Sequence, residues 1–157
     1  MRYLRYISSL LLLCLLVGCA GQKSPFLLWQ RPTATPNPDV QQALEQLSIY
    51  GQAFRQKGLL VQIGVFTSPI DMQQVGELSA KGPLMVGIYA QEDNEGNVYF
   101  SRVQQPGDKF TFIIVTAFNK DTQEVLIDHP RKKGFLPARI LEGMPYLATW
   151  DPQGKGP

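Results

Sequence analysis

Arg55-Gln56-Lys57-Gly58-Leu59-Leu60-Val61-Gln62-Ile63-Gly64-Val65-Phe66 is the stretch where the hydrophobic period of the chain changes, and that change decides the fold. Upstream of it, Val40, Ala43, Leu44, Leu47, Tyr50 and Phe54 recur at the three- and four-residue spacing of one helix face, with Gln41, Gln42, Glu45, Gln46, Gln52 and Gln56 between them. Asn37 as N-cap, Pro38 at the first helical position and Asp39 in the first turn mark where this helix starts. Arg55 and Lys57 suit its last turn, and Gly58 supplies a left-handed stop. Ile49 alone falls off the stripe, which reads as core packing in preference to a partner-binding face. Beyond Gly58 the apolar residues run continuously and are rich in β-branched types, so residues 59–66 are predicted as a strand ending at Thr67-Ser68-Pro69.

Strands dominate from there on. Ile70, Val75 and Leu78 predict a short helix over 70–80, closed by Gly82-Pro83. Residues 84–91 read as a second strand, and Asn94-Glu95-Gly96-Asn97 as the turn into a third over 98–103. After the turn Gln105-Pro106-Gly107-Asp108 comes the longest strand, 109–118, apolar on both faces through Ile113-Ile114-Val115 and therefore expected at the centre of its sheet. Asn119-Lys120-Asp121-Thr122 turns it back into 124–128. Residues 130–137 read as a polar, basic loop, 138–141 and 146–150 as two closing strands, and 152–157 as a disordered tail. The expectation is an α+β, β-rich domain over 38–151: a small antiparallel β-sandwich or curved sheet with one N-terminal helix packed on it.

The other end of the chain reads as an address. Arg2 and Arg5 precede an apolar run, residues 7–17, too short for a conventional transmembrane helix and ending at Leu16-Val17-Gly18-Cys19. This pattern resembles the lipobox of bacterial lipoproteins. The resemblance implies a signal peptide over 1–18, cleavage between Gly18 and Cys19, and acylation of Cys19. Several acyl chains hold a protein on a membrane stably, where one holds it marginally. In such lipoproteins Asp after the cysteine favours the inner membrane; Ala20 stands there, which implies the outer membrane facing the periplasm. Residues 19–37, with Pro25, Pro32 and Pro36, read as a tether carrying an apolar patch, Phe26-Leu27-Leu28-Trp29, as a candidate contact for the domain, the interface or a partner.

Charge and cysteine count exclude several functions. The 157 residues hold 15 Lys and Arg against 13 Asp and Glu, but Arg2 and Arg5 belong to the signal, leaving 13 against 13. That balance removes the electrostatic case for nucleic acid. Cys14 lies in the signal and Cys19 takes the lipid, so neither a disulfide nor a thiolate site is expected. The acidic run Glu92-Asp93-Asn94-Glu95-Gly96 lacks the spacing of a calcium loop and reads as a hairpin tip. His129, the only histidine, follows Asp128, but no Gly-x-Ser-x-Gly turn accompanies them. No phosphate loop, metal cluster or other cofactor motif appears. Arg131, Lys132 and Lys133 are the candidate contact for an acidic partner, an anionic glycan or headgroups.

Two families share features with the mature chain. The stretch Leu60-Val61-Gln62-Ile63-Gly64-Val65-Phe66, the turn Pro106-Gly107-Asp108 and Val115-Thr116-Ala117-Phe118-Asn119-Lys120-Asp121 resemble the outer-membrane lipoprotein of type VI secretion systems, a small β-sandwich that docks on an inner-membrane partner. The helix over 38–57 and the strand over 84–91 depart from that pattern. Val61-Gln62-Ile63-Gly64-Val65-Phe66 followed by a helix to Lys81-Gly82 and a strand is similar to the first half of the peptidoglycan-binding repeat of cell-division proteins, whose second helix is absent here. The expected function is a non-enzymatic, lipid-anchored docking or assembly component of an envelope complex. A peptidoglycan-binding module and an enzyme of unrecognised type are the alternatives.

Overall fold

The computed structural model describes residues 37–154. Helix α1 runs Pro38–Gln56, with Asn37 Oδ1 accepting from the Asp39 amide at 2.9 Å and Gly58 leaving it at φ 84°. Strand β1 (Leu60–Val65) leads to helix α2 (Met72–Lys81), whose first amides, those of Gln73 and Gln74, donate to the Asp71 carboxylate. Strands β2 (Leu84–Glu92), β3 (Val98–Ser101), β4 (Lys109–Asn119), β5 (Glu124–His129) and β6 (Lys132–Pro137) follow as hairpins. A 3-10 turn (Ala138–Leu141) and strand β7 (Pro145–Trp150) complete them.

The seven strands of the described residues lie in one antiparallel sheet of order β1-β7-β2-β4-β5-β6, with β3 beside the far end of β2. The last strand sits between β1 and β2, which therefore run parallel and are joined by α2 as a crossover. Strand alternation then divides the side chains into two layers. One face carries Leu84, Val86, Ile88, Ile113, Val115, Val125, Ile127, Tyr146 and Ala148, and it packs with Val75 and Leu78 of α2 and Ala138 and Leu141 of the 3-10 turn. The other face presents Val61, Ile63 and Leu147 to α1, whose buried line is Val40, Ala43, Leu47 and Gly51. Tyr50, expected in that line, lies at its margin, edge-on to Phe112. Gly51 takes the inner position, where the helix approaches β1 so closely that even a Cβ would press on Ile63 and Val61.

The long strand β4 is central, as its two-sided apolar run requires. Of the two expected forms, the curved sheet is the one observed. β3 and β5 are three strand spacings apart in the sheet, about 14 Å if flat, and β6 lies one spacing further still. Yet Lys132 Nζ, on β6, donates to the Val98 carbonyl at 2.8 Å. The sheet therefore curls over the core face until its far hairpins meet.

Two expected segments differ. Residues 130–137 form a tight turn and the edge strand β6, whose Leu136 and Phe135 pair with Val125 and Leu126. Charges, a glycine and a closing proline hide its alternation, and an edge strand tolerates all three. Residues 138–141 form the 3-10 turn, with Ala138 and Leu141 buried, and not a strand. The chain must cross from the β6 edge back to β7, and a single tight turn closes the end of the core on the way. Strand β3 also stops at Ser101, where the serine hydroxyl accepts from the Val103 amide.

Candidate interaction surface

The predicted contact residues Arg131, Lys132 and Lys133 lie in and after the β5–β6 turn, where each has a separate partner. The Arg131 guanidinium pairs with the Glu92 carboxylate at the end of β2. Lys132 is drawn inward, its ammonium on the Val98 carbonyl and 5.3 Å from the centre of the Tyr99 ring. Lys133 pairs with Asp128, directly across from it on β5, at 3.1 Å. Two of these ion pairs are exposed and worth little individually, whereas Lys132 satisfies a backbone acceptor that the curled sheet would otherwise strand.

His129 and Asp128, consecutive on a strand, point to opposite faces. His129 lies edge-on to Phe100, and its Nδ1 accepts from the Arg131 amide at 3.3 Å, so Asp128 does not orient it. The acidic run forms the β2–β3 hairpin tip. Asp93 accepts from the amides of Glu95 and Asn97 and from the Asn97 side chain and Tyr99 hydroxyl. These donors, the Asn97 side chain foremost, hold its carboxyl below the usual value, and the same contact with Asp93 raises the Tyr99 hydroxyl. Among the described residues, no three His, Cys, Asp or Glu side chains gather as metal ligands would.

Two surfaces emerge that no local sequence pattern announces. The first is the half of the outer sheet face that α1 leaves uncovered. One row of side chains crosses the whole sheet there: Ile63, Leu147, Met85, Ile114, Asp128, Lys133. Its first members lie beneath α1, and its last are the exposed ion pair. The next row is Ala117, Leu126 and Phe135, with the Phe135 ring 58% exposed. Together with Phe112 and the half-exposed Tyr50 these residues make an apolar strip bordered by Asp128 and Lys133 on one side and Glu124 on the other. The bulge at Thr116, which shifts the register between Val115 and Ala117, places Phe118 on the core face and Ala117 on this one.

The second is a groove of about 890 Å³ between α2 and the end of β4. Phe118 lies under Gly76 as its floor, and Gln73, Glu77, Thr116, Lys120 and Gln123 form its walls. The two sides come from segments some forty residues apart, so only folding brings them together.

The expected lipidation and cleavage residues, Cys19 and Gly18, and the tether patch Phe26, Leu27, Leu28 and Trp29 lie outside the described residues. Among the described helices none is long and apolar enough to cross a membrane. Compared with models of protein families, with curated proteins and with solved structures, the chain matches none.

Proposed function

We propose that the chain is a lipid-anchored envelope protein, held by Cys19 on the periplasmic face of the outer membrane, whose folded domain is a docking module for another envelope protein. The observation that carries the docking role is the uncovered strip of the outer sheet face. Apolar side chains at Phe112, Ile114, Leu126 and Phe135 lie together there, rimmed by Asp128 and Lys133. A buried aromatic centre with a charged rim is the usual anatomy of a protein interface. The anchor reading is supported by the fit of residues 16–19 to the lipobox. It is tested by Cys19→Ser, which should leave the protein as an uncleaved precursor or release it from membranes. Incorporation of labelled fatty acid into that variant would overturn it.

The groove between α2 and β4 favours a second reading, a peptidoglycan-binding module, because amides, a carboxylate and an aromatic floor converge there. Sedimentation of the full chain with purified peptidoglycan separates the two. Docking predicts no saturable sedimentation. Glycan binding predicts saturation that Gln73→Ala with Gln123→Ala abolishes and Phe135→Glu leaves unchanged.

A further inference from the structure

The two outer edges of the sheet are built differently. Edge strand β6 carries Lys132, Lys133 and Pro137, the charges and proline that keep an edge from pairing with another chain. Edge strand β1 is Leu-Val-Gln-Ile-Gly-Val, without a charge or a proline. Among the described residues its one sheet partner is β7, and Leu60 and Val65 at its ends are 46% and 41% exposed. Among the described residues no hydrogen bond reaches the Leu60–Val65 backbone from the side away from β7.

We infer that β1 is a self-association edge, on which a second copy of this chain adds its own β1 in antiparallel register about a two-fold axis. The strand is self-complementary. In a two-fold pairing that sets like faces together, Val61, Ile63 and Val65 continue the apolar row under α1, while Gln62 and Gly64 continue the row of the other face. No charge lies on β1 to oppose its copy or to keep it from pairing, whereas β6 carries two lysines and a proline. Six residues span about 20 Å, so the pairing with its flanks stays below the roughly 1,200 Å² of stable complexes and belongs with weak, transient ones. Weak, concentration-dependent association is the consequence. This inference stands independently of the docking role, which uses the opposite end of the sheet.

Light scattering of the full chain in neutral detergent, from micromolar to millimolar concentration, reads the protein mass. The wild type should pass from one to two chain masses. Leu60→Lys with Val65→Lys should stay at one while keeping the wild-type melting curve, and Phe135→Lys should dimerise as the wild type does. A wild type that is monomeric throughout, or a dimer unaffected by the β1 lysines or lost with the β6 lysine, would overturn the inference. Amide exchange of residues 60–65 gives the same reading without mutation. Protection should rise with protein concentration; protection that does not change with concentration would mean that something other than a second copy, or nothing, covers the edge.

Discussion

A Cβ placed on Gly51 of α1 would stand 3.0 Å from Ile63 Cδ1 on β1, so helix and sheet meet there closely enough that any side chain must push its neighbours aside. Val61 Cγ1 closes the same space at 3.1 Å. This approach brings Leu47, fully buried one turn earlier, into the core. Gly51→Ala gains about 1 kcal/mol of helix propensity and loses a similar amount to the contact, so its stability should lie within about 1 kcal/mol of wild type. Gly51→Leu should cost about 1–3 kcal/mol by overpacking, and Leu47→Ala about 2–5 kcal/mol by leaving a cavity. Denaturant unfolding of the three variants checks the order. A Leu47→Ala protein as stable as wild type would remove α1 from the core.

Tyr89 links the start of the helix to the sheet. Its hydroxyl donates to the Asp39 carboxylate at 2.9 Å and accepts from the Asn37 side-chain Nδ2 at 2.8 Å. Burial, then the bond to Asp39, holds this hydroxyl protonated above its ordinary value of 10.0. A proton held more tightly in the folded than in the unfolded chain stabilises fully below the unfolded value and is lost as pH rises through the folded one. Stability should therefore be flat on the acid side of 10 with respect to this group and fall above it. Tyr89→Phe should flatten that alkaline fall in part; the exposed Tyr99, raised by Asp93, contributes with the same sign. A wild-type melting temperature indifferent to alkaline pH would contradict the assignment.

The clasp between the two far hairpins makes the basic turn unequal. Lys132→Ala strands the Val98 carbonyl and removes the ammonium from Tyr99, and should cost about 1–3 kcal/mol. Arg131→Ala removes one exposed ion pair and should cost less than about 1 kcal/mol. Thermal melts of the two variants measure the difference, and equal losses would contradict the clasp.

Much of this architecture is legible from local signals. Asn37, Pro38 and Gly58 bound the first helix by the hydrogen bonds they make or the dihedrals they adopt, and Ile113-Ile114-Val115 marks a strand buried on both faces. The hidden parts depend on contacts distant in sequence. Lys132-Lys133-Gly134 has no strand signature until β5 lies beside it, and Tyr50 yields its inner place to Gly51 only because β1 returns beneath the helix. The apolar strip likewise needs residues from β4, β5 and β6 in register, and the bulge at Thr116 inverts the alternation that would have located it. The basic run Arg131-Lys132-Lys133, conspicuous as a charged loop, has its charges engaged within the domain once its hairpin is formed.

The docking role is tested most directly by photo-crosslinking the full chain in intact cells, with a photoreactive residue at Leu126 or Phe135, at Gln52 on the outer side of α1, and at Gln73 in the groove. Discrete protein adducts of one mass are expected from positions 126 and 135 and none from position 52. Absence of adducts at 126 and 135, or capture of cell-wall glycan at position 73 in their place, would contradict the docking role.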